Sequence, residues 1–172
     1  MSNLKDRFGN PIPEWYQGYV KTLGDRDFKT VLSQNLLSTS SFLKSIPADK
    51  ENFAYAEGKW TLKEVVLHVV DSERIFSSRA LCFARKEKAN LPGYDENEYA
   101  PNSDAVNRTL SSIIEEYEAV RKSSIELFKN FSETTLALTG NANNYSFSVD
   151  LCGVILVGHE MHHMKIIKER YL

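Results

Sequence analysis

Three histidines near the end of the chain are the side chains best suited to chemistry. They lie in segment 158–164, whose sequence is GHEMHHM. In a helix, residues four apart share one face, so His159 and His163 are expected to point the same way. Two neutral imidazoles so placed can bind one metal ion. Hydrogen-bonded core histidines can show the same spacing, so the pair alone leaves both interpretations open.

The one histidine outside this segment, His68, is the candidate for a third ligand. It lies at the border of the apolar stripe of a helix predicted over 62–86. Taken by itself, a half-buried structural histidine is the simpler interpretation. If this helix lies beside the C-terminal helix, His68, His159 and His163 can meet. Three histidines that leave positions for water or substrate are typical of a catalytic metal site.

The elements that must position these residues are predicted to be helices. Apolar residues recur at helical spacing over 28–45, 62–86, 104–131 and 149–170. A shorter helix over 13–23 and a single helical turn from Ser132, stopped at Gly140, are also predicted. Segment 141–147 is predicted as loop or a short extended piece, and no convincing alternating strand pattern appears. The pattern predicts an all-α, four-helix-bundle fold with short additional helices in one domain, 1–172, with 1–12 as a loosely held N-terminal arm.

Side chains that cap helices support several of these boundaries. Asp27 and Ser148 stand where an N-cap is needed, and Thr61 with Glu64 fits a capping box. For the helix over 104–131, Ser103 or Asn102 is the expected cap.

Composition argues against several classes of function. The formal net charge is −2 and no long basic run occurs, so neither nucleic acid nor an anionic membrane is the expected partner. No apolar run is long enough for a membrane helix, and the N-terminus lacks the apolar core of a signal peptide. Cys82 and Cys152 form no CxxC motif, which favours reduced core residues and a cytoplasmic location.

The segment His159 to His163 also fits the HExxH signature of zinc proteases, with Glu160 as general base. In those enzymes the third ligand usually follows the motif. Here the nine residues after His163 contain no histidine, and the remaining histidine lies upstream on another helix. The protease interpretation is therefore disfavoured, and Glu160 stays a candidate base for other metal-assisted chemistry.

Three motifs in the same order resemble those of the DinB/YfiT-like superfamily. They are GKWTLKEVVLH at 58–68, LPGYDE at 91–96 and GHEMHH at 158–163. The resemblance covers the chain from about residue 30 to its end. It implies a four-helix bundle with one divalent metal ion, zinc, nickel, iron or manganese, held by His68, His159 and His163. His162 is then more plausibly a neighbour of the site than a ligand, and Asp71 either orients an imidazole or faces solvent.

Three functions are compatible with this resemblance. The leading hypothesis is a metal-dependent transferase that uses a low-molecular-weight thiol, of the bacillithiol or mycothiol type, and an electrophilic small molecule. The second is a metal-dependent hydrolase that activates water at the same site. The third is a non-enzymatic, stress-related metal-binding module. The resemblance also makes a homodimer plausible.

Overall fold

The computed structural model describes Phe8 and residues 12–172. Within this part of the chain, four long helices form the bundle and the remaining elements are short. The α-helices are α1 (Glu14–Leu23), α2 (Phe28–Lys44), α3 (Leu62–Ala84), α4 (Glu96–Tyr99), α5 (Leu110–Lys129), α6 (Glu133–Leu136) and α7 (Val149–Arg170). Two 3-10 turns cover Ala48–Lys50 and Ala105–Asn107, and the strands are β1 (Asn90–Leu91), β2 (Thr139–Ala142) and β3 (Tyr145–Ser148).

The four long helices close into a ring of contacts. Helix α7 packs against α2 and α3, and α5 packs against the same two helices from the other side. Helix α1 lies along the outside of α7. This arrangement confirms the predicted all-α, four-helix-bundle class.

A glycine brings α1 and α7 together beside the histidines. A Cβ atom at Gly158 would collide with the backbone carbonyl oxygen of Tyr19 on α1. The missing side chain therefore permits the close approach of the two helices immediately before His159. Any larger residue at this position would push α1 away from the site.

The predicted caps at three helix starts are confirmed. Asp27 accepts a hydrogen bond from the backbone N–H of Thr30, and Ser148 accepts one from that of Leu151. Thr61 and Glu64 form the reciprocal capping box. These caps fix where α2, α3 and α7 begin, and those of α3 and α7 set the positions of all three histidines along their helices.

The predicted start of the third long helix is wrong. Helix α5 begins at Leu110 and is capped by Thr109, which accepts a hydrogen bond from the Ser112 N–H. Upstream, Ala105 is buried in the core, within a 3-10 turn that follows Asp104 at a φ of 58°. Burial of Ala105 therefore competes with extension of the helix, a tertiary effect that local capping signals do not contain.

The short extended piece predicted over 141–147 belongs to a small three-stranded sheet, whose pairing the sequence did not predict. Strand β1 pairs in parallel with β2, and β2 pairs antiparallel with β3 through a turn at Asn143 and Asn144, both with positive φ. The strands have only two or four residues, too few to show a period. The sheet fastens the segment after α3 to the start of α7.

The core consists of two apolar clusters with a polar layer between them. One cluster contains Phe76, Phe83 and Val154, and the other contains Val65, Ile113 and Ile167. The histidines and a buried ionic network lie between these levels of α3, α5 and α7. Most of the predicted arm over 1–12 lies outside the described residues, but Phe8 and Ile12 are described and buried. None of the described helices is long and apolar enough to cross a membrane.

Candidate metal centre

The structure brings His68, His159 and His163 together. The sequence predicted this meeting for the case in which the helix of His68 lies beside the C-terminal helix. The Nε2 atoms of His68 and His159 are 2.9 Å apart. One ligand atom from each of the three rings can be chosen so that all lie within 4.8 Å of one another. The three ring centroids are 4.4 to 4.9 Å apart. Their role as metal ligands stays a prediction that this geometry permits.

Neighbouring aromatic rings restrict how the imidazoles can turn. The ring of Trp60, just before α3, lies 4.9 Å from that of His68. Tyr19 of α1 meets His159 edge to face, with the centroids 5.2 Å apart. The close approach at Gly158 is what places Tyr19 there.

Burial keeps the three imidazoles neutral at pH 7. It lowers the pKa of His68 to about 4 and, together with repulsion from His68 and His162, lowers the pKa of His163 to about 3. The pKa of His159 also falls well below its ordinary value, first because of burial and then because of the neighbouring histidines. Neutral imidazole is the form that binds a metal ion.

Two observations indicate that these residues could bind a metal ion. Nδ1 of His163 is buried and has no hydrogen-bond partner within the described part of the chain. A buried polar nitrogen without a partner is costly, and most such atoms in folded proteins are satisfied. The group of close ligand atoms also consists of imidazoles alone, a donor set that suits divalent zinc, nickel or iron. We therefore regard the three histidines as a candidate metal centre.

A cavity of about 420 Å³ leads to this centre. His68 and His159 lie in its wall, and five aromatic side chains line the rest: Trp15, Tyr16, Tyr19, Phe76 and Tyr94. Arg79, Glu96 and Asn143 supply polar groups. This volume suits a small molecule. The cavity gives such a molecule direct access to two of the three histidines.

Comparison with known proteins agrees with this architecture. The sequence profile of the DinB superfamily matches residues 32–167. The chain belongs to the DinB superfamily. Over 159 residues it is 26% identical to a protein of Oceanobacillus iheyensis named "Putative metal-dependent hydrolase", and the match covers 91% of this chain and 83% of that protein.

A solved structure shows the same fold. YfiT from Bacillus subtilis, described as a probable metal-dependent hydrolase with an unusual four-helix bundle topology, superposes with a TM-score of 0.69. The match covers 93% of this chain and 88% of YfiT at 16% sequence identity. The likeness therefore concerns the fold of this DinB-superfamily chain.

Glu160, the candidate base, lies in a different environment from the histidines of this DinB-superfamily chain. It is completely buried. Tyr117 Oη donates to its Oε1 at 2.7 Å, while Arg121 Nη1 and Asn35 Nδ2 each donate to its Oε2 at 2.9 Å. These three partners occupy both carboxylate oxygens, and the role of Glu160 as a base stays a prediction.

Two other residues considered beside the site are placed by their contacts. His162 is half-buried, with its ring centroid 5.3 Å from that of Tyr19 and 5.1 Å from that of His163, and it does not belong to the group of close ligand atoms. Asp71 lies 3.6 Å from Arg74 in an ion pair. Burial raises the pKa of Asp71.

The part of the aromatic wall that α1 contributes, and Arg79, were not predicted from the sequence, whereas the loop of Tyr94 was expected to be able to form a pocket wall. Trp15, Tyr16 and Tyr19 are closely spaced on α1, and this clustering was the available signal. Nothing in the order of residues shows that α1 packs on α7. Arg79 falls three turns after His68 on α3, a spacing that places both on one face but does not predict a shared cavity.

Proposed function

We propose that this protein is a metal-dependent hydrolase of small molecules, with one divalent ion held by His68, His159 and His163. The observation that carries the proposal is the convergence of three neutral imidazoles at an aromatic cavity. The names of the Oceanobacillus and Bacillus proteins support it. When bound, such an ion would polarise the bond to be cleaved and lower the pKa of water.

The surrounding residues have separate tasks in this proposal. Tyr19 holds the ring of His159 in place through an edge-to-face contact, and Trp60 holds that of His68 through a tilted ring contact. The aromatic wall binds the apolar part of the substrate and displaces water around it. Glu96 is the carboxylate that lines the cavity, and we assign it the task of accepting a proton. Glu160 is proposed to anchor α7 instead, since its oxygens are already bound.

A second candidate is transfer of a low-molecular-weight thiol, of the bacillithiol or mycothiol type, to an electrophile. The observation that favours it is that the close group of ligand atoms contains no carboxylate. A thiol has an ordinary pKa near 8.5, so it needs less help from a protein base than water does. The thiol must then come from the substrate, because neither Cys82 nor Cys152 lines the cavity, and burial raises the pKa of Cys152 to about 12.

Metal content is the first test of the proposal. Full-length protein should contain about one equivalent of divalent metal by elemental analysis, and His68→Ala and His159→Ala should lose it. His162→Ala is the matched control, because His162 is an adjacent histidine outside the ligand group, and it should keep the metal. A parent protein that takes up no metal even after reconstitution would contradict both enzyme proposals.

Turnover separates the two chemistries. The metal-loaded protein would be assayed with small carboxylic and phosphoric esters, and with an electrophilic alkyl halide, each with and without added thiol. Hydrolysis without thiol, abolished in His159→Ala and retained in His162→Ala, would support the hydrolase. Product that forms only with thiol, and contains its sulfur, would support the transferase instead. Metal binding without turnover on any substrate would favour a binding module.

A further inference from the structure

Arg79 is a buried cation without an acidic partner in the described part of the chain. The residue is only 4% exposed. Its guanidinium donates one hydrogen bond, from Nη2 to the carbonyl oxygen of Pro92 at 2.9 Å, and lies 5.1 Å from the ring centroid of Phe76. A guanidinium carries five N–H donors, so most of its donor capacity is left over.

Arg121, also buried, provides a comparison because its guanidinium is paired with carboxylates. Arg121 is fully buried and forms ion pairs with Glu73 at 2.8 Å and Glu160 at 2.9 Å. Buried charges are normally paired, because removing an ion from water is costly. Arg121 is paired with carboxylates of the protein. Arg79 has no such pair among the described residues, so a bound anion could supply the negative charge.

The position of Arg79 indicates where that match would come from. Its side chain lines the same cavity as His68 and His159. Arg79 follows His68 by eleven residues on α3, which places both on one face of the helix with a rise of about 16 Å between their backbones. Long helical side chains lean toward the helix N-terminus, so the guanidinium would approach His68 from the far end of the cavity.

We propose that Arg79 binds the anionic group, a carboxylate or a phosphate, of a small-molecule substrate whose reacting end lies at His68 and His159. Guanidinium forms paired hydrogen bonds with either oxyanion. Phe76 and Tyr94 line the cavity as well and supply an apolar surface for the middle of such a molecule. The location of the reacting end rests on the proposed function. The new element is that the substrate carries a negative charge, which Arg79 binds.

Glu96 is the opposing charge in the cavity. It is exposed and forms no ion pair with Arg79 within 4.0 Å. An exposed carboxylate is screened by water, so it weakens the field of the buried guanidinium less than a direct partner would. Glu96→Gln should therefore preserve the preference for an anion.

The test measures binding, so it does not depend on turnover. The probes are 3-phenylpropanoate, phenyl phosphate and the uncharged 3-phenylpropanamide, titrated calorimetrically into full-length protein with and without chelator. At least one anion should bind roughly tenfold or more tightly than the amide. Arg79→Gln should remove that preference, and Arg79→Lys should keep part of it because the charge remains. The better of the two anions identifies the oxyanion class.

Arg74→Gln is the matched control. Arg74 and Arg79 both line a neighbouring groove of about 320 Å³, but only Arg79 lines the cavity beside the histidines. Arg74→Gln should leave the preference unchanged. Its loss in this variant would place the anion in the groove and overturn the proposal.

The remaining outcomes separate this inference from the proposed function. A preference that persists in Arg79→Gln and vanishes with chelator would assign the anion to the metal ion and overturn the role of Arg79. Equal binding of amide and anions, or no anion binding up to about 10 mM, would also overturn it. An Arg79-dependent preference in a protein that takes up no metal would uphold the anion site and refute the hydrolase.

Discussion

His159 and Glu160 are neighbours on α7, both are buried, and their surroundings differ in kind. Glu160 has two hydrogen-bond donors on one oxygen and a third on the other, and its charge is balanced by Arg121. His159 touches two other imidazoles, and one of these carries a buried nitrogen that has no hydrogen-bond partner among the described residues. The fold completes the carboxylate network and leaves the histidine cluster incomplete. A buried polar group that lacks a partner among the described residues is where a ligand is expected.

The carboxylate side of this comparison should dominate stability. Arg121→Met would leave Glu73 and Glu160 buried and facing each other without a cation. We expect the free energy of unfolding to fall by about 3–5 kcal/mol, the usual cost of removing one partner from a buried ion pair. Urea denaturation followed by circular dichroism measures this change.

The control for Arg121 is the next residue on α5. Lys122 is exposed, so Lys122→Met removes the same charge without disturbing the core, and we expect a change of at most about 0.5 kcal/mol. A loss below about 1 kcal/mol for Arg121→Met would mean that the network contributes little and that the contrast with the histidines is wrong.

The histidine cluster, unlike the carboxylate network, should stabilise the protein only when metal is bound. In metal-free protein, His163→Leu removes a buried nitrogen that has no partner in the part of the chain that the structure describes, so we expect the free energy of unfolding to change by less than about 1 kcal/mol. Metal added at about 100 times its Kd should stabilise the parent by about 2.7 kcal/mol and the variant far less. Thermal unfolding with and without metal tests this, and equal metal stabilisation of both proteins would remove His163 from the ligand set.

Acid should destabilise the metal-free protein through the same histidines. An unfolded histidine has a pKa near 6.5, whereas burial lowers the pKa of His68 to about 4 and contributes to lowering that of His163 to about 3. Below pH 6.5 the unfolded chain therefore binds protons that the folded chain does not bind, and stability falls toward pH 4. The loss at pH 5 should be about 2 kcal/mol for each histidine.

The pH effect can be assigned with one variant. Urea denaturation of metal-free parent and His68→Leu at pH 7.5 and pH 5 should give a smaller loss for the variant by about 2 kcal/mol, since one titrating group is gone. Carboxylates elsewhere titrate equally in both proteins and cancel in the difference. The same loss in both proteins would show that His68 is already protonated, or accessible to protons, in the folded state.

Local signals predicted the positions of the histidines because capping is a local interaction. Asp27, Thr61, Glu64 and Ser148 each hydrogen-bond within three residues, so the sequence contains both partners. The spacing of His159 and His163 is likewise a property of one helix. Their meeting with His68 required only that α3 and α7 be neighbours.

The polar groups around the site could not be predicted in the same way. Arg79 lies in the cavity because the short sheet holds the segment of Pro92, whose carbonyl accepts its hydrogen bond. Glu160 follows His159 by one residue, about 100° around the helix, so it is expected on a different face. The sequence does not predict that Arg121 and Tyr117 of α5 contact that face. Such contacts join residues tens of positions apart. The periodic spacing of apolar residues in a single sequence does not show which of these distant residues will meet.

The smallest expected effect concerns Asp71, which could orient an imidazole or stand apart from the site. Its ion pair with Arg74 and partial exposure favour the second role. Asp71→Asn should therefore change the free energy of unfolding by at most about 0.5 kcal/mol, as for other exposed pairs. Metal affinity, measured by competition with a chromophoric chelator, should stay within about twofold, whereas loss of a carboxylate that orients a ligand costs about 10- to 100-fold. A tenfold loss in Asp71→Asn, with the fold intact, would extend the histidine centre to Asp71 and make the centre more complete than its contacts indicate.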